Sequence, residues 1–532
     1  MRVLAVVSGQ KWLGGLTIQT ALLCRELERL GHQVAVVSIG QDAVVDQFRH
    51  ARVRYGPEAG LFGLSSNGHG TKAMKNGHAT KATKNGHSPE AMAEAGGEYV
   101  FRYEVVADAA RYLPPGPGPV RAALAPLARL GMAVVAPPPD SSRAPVQQAR
   151  GAAASFARGL AAALDAGLSG GAAEAPFLAR LLLNTEKEDL DRLEEIRRWF
   201  QPDVEYACDL ALVPMLARLE DRGIPLIAAA QGFEIVQRRG VGLLDALRAA
   251  RHRLDLVLSG SQANIAENLN QIAQFINGSV PSRPIPYGVA LDGGWEMERQ
   301  DAVARLRELE AHLTLDQRGA GGLWGEGYET SPPFIITCLS RIDVEKGADL
   351  ALHALSILRQ QGVPARLWIA GNAMPGSAYM DVLRTKIRLM DLGYCVSLIA
   401  TVRDQLDKVA LLRASDAFVA GFIRSEPFGL VYTEAFACGL PVVAPASGAA
   451  PEIMAYVDDT STLYPVNDTG AMAQRLKALY ESPARRAEIG ERERRAFLTR
   501  FNATEMAKGA AAEFERAIAR RAGRPHALAS TR

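Results

Sequence analysis

Short, wholly apolar runs recur along the chain, each followed by a longer stretch whose apolar positions fall three and four apart. VLAVV (3–7), VAVVSI (34–39), FIITCL (334–339) and VVA (442–444) are such runs. Uninterrupted apolar runs of this length predict strands buried on both faces, and the amphipathic stretches between them predict helices packed on the sheet. In the first half the pattern predicts strands at 2–8, 33–39, 204–208, 225–230 and 254–259, with helices at 17–30, 176–200 and 210–221. In the second half it predicts strands at 334–340, 367–371, 396–400, 417–421, 441–444 and near Leu463, with a helix at 348–359. Gly31 stops the first helix, Pro176 suits a first helical turn, and Ser261 suits an N-cap. Strand and helix alternate throughout, which predicts an α/β protein with parallel sheets. At 532 residues the chain exceeds one core, so two domains with insertions are expected.

The densest chemistry lies in Ser425–Glu452, SEPFGLVYTEAFACGLPVVAPASGAAPE. Glu426 precedes Pro427 in a predicted loop, a helix starts near Gly429, and Gly439 with Pro441 ends it. Glu434 lies about one and a half turns into that helix. Both carboxylates can face a cleft beyond the helix start, where free backbone N–H groups attract anions. A phosphate fits on Phe428, Gly429 and Leu430, and carboxylates accept paired hydroxyls well, so a sugar is a natural neighbour. The competing reading makes Glu426 a helix cap and Glu434 a solvent-facing residue. A second anion signal is SRIDVEKG (340–347), after a buried strand. A lysine beside a helix N-terminus, as Lys346 is, opposes the helix dipole unless an anion intervenes.

The setting S-E-P-F-G-L-x-x-x-E-A-x-A-x-G-x-P-V-V-A resembles the donor-binding signature of retaining glycosyltransferases of the GT-B fold, in particular glycosyltransferase family 4. The resemblance implies two Rossmann-like doubly wound parallel-sheet domains facing across a cleft. It implies that Glu426 approaches hydroxyls of a donor sugar, that Glu434 holds the ribose of the nucleotide, and that Gly429 and Leu430 meet the diphosphate. It assigns Arg341 and Lys346 to the diphosphate and the leaving group. PIPYGVALD (284–292) resembles the family's Pro-Asn-Gly-Val-Asp linker, with Tyr287 in place of Asn. The expected domains are 1–287 on the acceptor side, 288–502 for the donor, and 503–532 as a helix returning to the first domain plus a tail. Two insertions are expected in the first domain, about 63–95 and about 113–175. The first holds a nine-residue NGH repeat, read as disordered despite His69, His78 and His87; the second is rich in Ala and Pro.

In the first domain the turn after the first strand is GQKWLGG, which lacks the G-x-G-x-x-G dinucleotide fingerprint. Gly14 and Gly15 allow close approach of a ligand. The resemblance places that turn beside the donor diphosphate and the acceptor. Lys11 is one residue too far from the glycines for the Lys-x-Gly-Gly-Leu of glycogen and starch synthases. Gln231-Gly232 stands where the family has His-Gly, so Gln231 inherits a donor contact without the ability to titrate. Segment 238–253, RRGVGLLDALRAARHR, predicts a basic amphipathic helix, either a solvated face over Leu244 and Leu247 or a peripheral membrane contact.

Composition adds limits. Sixty basic against 58 acidic residues leave a net charge of +2, too little to imply nucleic acid. Five scattered cysteines suggest neither a metal knuckle nor a disulfide framework, which fits a cytoplasmic setting. No apolar run reaches a membrane span, and the amino end reads as a strand rather than a leader. The expected activity is transfer of a sugar from a nucleotide diphosphate sugar to an acceptor hydroxyl, with retention of configuration. No resident cofactor or metal is expected, and the acceptor, a glycan, lipid or small molecule, stays open. The alternatives are another GT-B enzyme such as a phosphorylase or epimerase, a non-catalytic nucleotide-sugar-binding protein, and a nicotinamide dehydrogenase, which the missing fingerprint disfavours.

Overall fold

A computed structural model describes residues 1–9, 14–40, 102–107, 187–230, 243–275, 278–325 except 280, and 328–523 except 329, 374–377, 401 and 403. The two expected insertions, Lys11, Gln231 and the basic residues Arg238 and Arg239 lie outside the described residues.

Two parallel sheets carry the chain. The first has seven strands in the order β3-β2-β1-β4-β5-β6-β7. They are β1 (Arg2–Gly9), β2 (Gln33–Gly40), β3 (Arg102–Ala107), β4 (Val204–Ala207), β5 (Leu226–Ala230), β6 (Leu254–Ser259) and β7 (Ser282–Pro284). The second has six in the order β10-β9-β8-β11-β12-β13. These are β8 (Phe334–Leu339), β9 (Ala365–Ala370), β10 (Val396–Ile399), β11 (Ala417–Val419), β12 (Val442–Pro445) and β13 (Leu463–Tyr464). Every pairing is parallel, and β8 and β9 are buried along their whole length. That is the physical content of the mostly apolar runs: a parallel sheet covered on both faces has no solvated side, and a polar residue within it, such as Arg366, is buried with backbone carbonyls as its partners. Strand order reverses between β1 and β4 in one sheet and between β8 and β11 in the other. This is the GT-B fold, two doubly wound α/β units.

The first helix, Gly14–Arg29, crosses between β1 and β2. The last helix, Ala503–Ala522, packs on it and buries Met506, Ala507, Ala510 and Phe514 in the core of the first sheet. The chain thus leaves the first unit near Gly288 and returns near Ala503, and the two crossings run side by side. Val289 N donates to Phe501 O (2.9 Å), and Ala503 N donates to Val289 O (2.9 Å). Gln19, buried on the first helix, donates to Gly288 O at 3.1 Å.

One expected helix is corrected. Residues 210–221 form a 3-10 turn at Leu210–Leu212 and a single α-turn at Val213–Leu216. Pro214 has no N–H to donate to Leu210, so the ladder cannot run through. Asp209 caps the turn by accepting from Ala211 N. The expected 176–200 helix is described from Lys187 to Phe200. Beyond it, Arg197 and Glu205 form a buried ion pair at 2.5 Å, and Arg253 lies 3.9 Å from the same carboxylate. No described helix is long and apolar enough to cross a membrane.

Glu28, on the first helix, has a buried Oε1 without a hydrogen-bond partner, and burial pushes its carboxyl from 4.5 up to about 8. Between these values the folded chain holds a proton that the unfolded chain releases. The group's contribution to stability is therefore full below the ordinary carboxylate range and is lost as pH rises through about 8. Glu28→Gln keeps the neutral shape. Its melting temperature is expected to exceed that of the native chain at about pH 9, with the advantage shrinking towards about pH 4. A calorimetric pH series checks this; a pH-independent difference would refute it.

Candidate functional site

The carboxyl ends of β8 and β11 are neighbours across the reversal of strand order, where open α/β sheets form their crevice. Each end feeds a loop and then a helix entered through a left-handed glycine. After β8 comes a 3-10 turn, Val344–Lys346, then Gly347 (φ 60°) and the helix Ala348–Gln360. After β11 comes the loop with Glu426, then Gly429 (φ 82°) and the helix Leu430–Ala437. The helix Leu430–Ala437 has no side-chain cap, and Gly347 offers none to the helix Ala348–Gln360, where the Tyr379 hydroxyl instead accepts from Asp349 N at 3.1 Å. Two positive helix ends therefore follow the two loops, and the one at Leu430 has no side-chain cap.

The loops are locked to one another. Ile423 N donates to Glu345 O at 3.1 Å, and Arg424 pairs with Glu345 at 2.9 Å. Gly347 and Gly421 pass so closely that a Cβ on Gly347 would lie 1.9 Å from Gly421 O. No other residue fits at Gly347, because both its φ and this contact forbid a side chain. The lock brings Lys346 Nζ to 2.6 Å from Glu426 Oε2, with Nζ also 4.5 Å from the centre of the Phe422 ring. Glu426 and Lys346, 80 residues apart, meet as a half-buried pair. Arg341 instead lies 3.7 Å from Asp343, on the rim of the same loop. Asp343 accepts from Glu345 N and so shapes the turn that presents Lys346.

Glu434 lies on the second turn of its helix, and Lys408, from the helix Gln405–Ala414, donates to its Oε1 at 2.5 Å. Lys408 Nζ also stands 6.0 Å from the Trp295 ring centre. Each glutamate of the motif thus has its own lysine. Phe428 is buried, with its ring 5.1 Å from that of Tyr287 in an edge contact. Leu430 opens the helix behind Gly429. Tyr432 is fully buried against Phe418 and Phe422; its hydroxyl has no hydrogen-bond partner, and burial, with Glu426 nearby, pushes its pKa well up. Gly14 and Gly15 begin the first helix after β1, at the other sheet's reversal.

Sequence reasoning missed Lys408. It sits 26 residues before its partner on a separate helix, so no local pattern marks it. It also missed the role of Glu452, whose carboxylate accepts from Gln262 N and Ala263 N in the first unit.

Residues 328–496 match the family model described as Glycosyl transferases group 1. The chain is 28% identical over 298 residues to the GDP-mannose-dependent alpha-(1-6)-phosphatidylinositol monomannoside mannosyltransferase of Mycolicibacterium smegmatis, covering 53% of this chain and 68% of that one. It is 28% identical over 272 residues to the D-inositol 3-phosphate glycosyltransferase of Rhodococcus erythropolis, covering 50% of this chain and 57% of that one. Among solved structures, HepE of Anabaena in complex with UDP-glucose superposes with a TM-score of 0.58 at 16% identity, over 97% of this chain and all of that one. The chain thus spans between about half and two thirds of the length of these two curated relatives. The fold is that of the GT-B structures, and the group 1 glycosyltransferase model matches within the second unit.

The Lys408–Glu434 pair generates one prediction. Lys408→Met should weaken nucleoside diphosphate binding by about tenfold, roughly 1.4 kcal/mol, because Glu434 loses the group that holds it. Titration calorimetry with UDP and GDP measures this, and unchanged affinity for both would separate the pair from the ligand.

Proposed function

We propose that this protein transfers a sugar from a nucleotide diphosphate sugar to an acceptor hydroxyl with retention of configuration, without a metal, in the manner of family 4. The observation that carries the reading is the Lys346–Glu426 pair, held at 2.6 Å between the loops that lead into the helices Ala348–Gln360 and Leu430–Ala437. Loss of a nucleoside diphosphate puts negative charge on the leaving group and positive character on the sugar. A site for that reaction needs a cation and oriented N–H groups on one side and a carboxylate on the other. Lys346 with the N-termini at Ala348 and Leu430 forms the first set, and Glu426 the second.

On this reading the donor diphosphate takes Lys346 from Glu426. The freed carboxylate then accepts from hydroxyls of the sugar and faces its developing charge. Arg341, on the rim, adds to the neutralisation of the diphosphate. Glu434, steadied by Lys408, receives the ribose hydroxyls through a carboxylate that retains acceptor capacity. Charge neutralisation by Lys346, Arg341 and the helix ends is the reason for proposing metal independence. Gly14 and Gly15 border the donor diphosphate and the acceptor, and Gln231 is assigned a donor contact. The substrates in the names of the relatives make GDP-mannose the first donor to try and an inositol-bearing lipid or phosphate the first acceptor. Such an acceptor fits peripheral work at the cytoplasmic membrane face, with the exposed Arg248 and Arg251 of segment 238–253 in its contact and Arg253, buried beside Glu205 and Asp221, outside it.

The test is a panel of UDP-, GDP- and ADP-sugars, with and without EDTA, read as nucleoside diphosphate release. One donor is expected to hydrolyse slowly, in EDTA as well. Lys346→Ala should lower that rate by about a hundredfold with a smaller effect on nucleotide affinity, and Glu434→Ala should do the reverse. Nuclear magnetic resonance of the anomeric proton of the product reads retention directly. Equal and negligible effects of both substitutions would overturn the site, and loss of activity in EDTA would overturn metal independence.

A further inference from the structure

We propose that Glu452 is a positioning residue, a clamp that joins the two units and sets the loop that carries Glu426. Glu452 lies in the first turn of the helix Ala450–Ala455. The residues just before it are welded to the backbone of Glu426. Ala449 N donates to Glu426 O at 3.0 Å, and a Cβ on Gly448 would meet that same oxygen at 2.3 Å. Movement of Glu452 is therefore movement of Glu426.

From this unit Glu452 crosses to the other. Its Oε2 accepts from Gln262 N at 2.8 Å and from Ala263 N at 3.2 Å. These are the first N–H groups of the helix that opens at Gln262–Asn264, passes through a π-turn at Ile265–Leu269 and continues over Asn270–Phe275. They have no partner within the helix, and they carry its positive end, so a carboxylate there makes charge-assisted bonds. Ser261 adds a bond from the opposite direction. Its Oγ donates to Pro427 O at 2.5 Å while accepting from Asn264 N at 2.9 Å. Three residues of one helix start, Ser261, Gln262 and Ala263, thus grip the loop of Glu426 from both of its flanks, residue 427 directly and residue 426 through 449 and 452.

The helix start is itself fixed to the first sheet. Asn264, buried, donates to Ala230 O at 3.0 Å and to Ser259 Oγ at 2.8 Å, at the carboxyl ends of β5 and β6. The clamp therefore ties the crevice end of one sheet to the loop at the crevice end of the other. Opening it exposes two N–H groups, one carboxylate, one hydroxyl and Pro427 O, all of which water satisfies, and parts the Tyr287–Phe428 edge contact. Contacts of this kind hold when the units are apposed and release without leaving an orphaned group. Glu452 touches neither Lys346 nor Glu434 in the described contacts, so its action on the site is through the loop.

Two readouts test the clamp. The first does not depend on the proposed function. Nitroxide labels at Glu220→Cys and Leu389→Cys, exposed positions on the two units, report the distance between them, and the five native cysteines are buried. Glu452→Ala and Ser261→Ala are each expected to broaden the distance distribution, whereas Glu452→Gln, whose amide oxygen still accepts, should keep the native one. An unchanged distribution in Glu452→Ala would overturn the clamp. The second readout rests on the donor reading above: Glu452→Ala should lower turnover about tenfold or more while nucleoside diphosphate affinity stays within about threefold, with Glu452→Gln restoring most of the turnover. Equal losses of turnover and affinity would make Glu452 a residue of general stability and refute a positioning role. If the native chain turns over no donor, the proposed function fails while the distance measurement still decides the clamp.

Discussion

The two units of this protein are joined where the chain crosses between them, and it crosses twice at one place. Val289 hydrogen-bonds to both Phe501 and Ala503, so the outgoing and returning segments form a two-stranded connection rather than two independent tethers. A single linker would leave the crevice free to gape in any direction. Paired crossings restrict relative motion to bending across one short line, because shear would break the bonds between them. Everything at the crevice inherits that restriction. The Tyr287–Phe428 contact and the bonds from Ser261 and Gln262 lie on the crevice side of the line, so they make and break together.

The second unit solves a different problem, that of holding two charged loops still without burying unpaired groups. Its answer is to cross-brace backbone with backbone. Glu345 O, Ile423 N and the near contact of Gly347 with Gly421 fix the two loops before any side chain acts. Lys346 and Glu426 then neutralise one another while half-buried, as do Lys408 and Glu434. A buried lone charge costs more than a paired one. A charged ligand entering this site exchanges one partner for another rather than creating an unpaired charge.

How much of this was legible depended on whether the interaction was local. The buried strands were readable because a parallel sheet between helix layers forces mostly apolar runs, and β8 and β9 are buried at every position with only Thr337 and Arg366 polar. The Glu426–Glu434 spacing and the lysine before Gly347 were readable because strand, loop and helix start lie within a few residues of each other. The strand Arg102–Ala107 was not, since RYEVVA has charges within it and its pairing with β2 spans some sixty residues of chain. Lys408 and Glu452 were invisible for the same reason: a lysine on a helix and a glutamate in a first helical turn look like solvated surface until another element is brought to them. The misread 210–221 stretch shows the opposite failure, a good helical period overruled by one missing N–H at Pro214.

The placement of Glu452 explains why a carboxylate should stand so near a site proposed for a diphosphate. An unpaired acid there would repel the ligand and raise the cost of binding. Here its charge is spent on the positive end of a helix from the other unit, so it is screened from the crevice as long as the units are apposed. When they part, the carboxylate is uncovered beside the loop of Glu426, and the local field becomes less favourable to an anion. Removal of the side chain takes away the clamp and the repelling charge together, so the two effects on anion affinity oppose one another, and the loss of the clamp falls on the placement of Glu426 rather than on affinity.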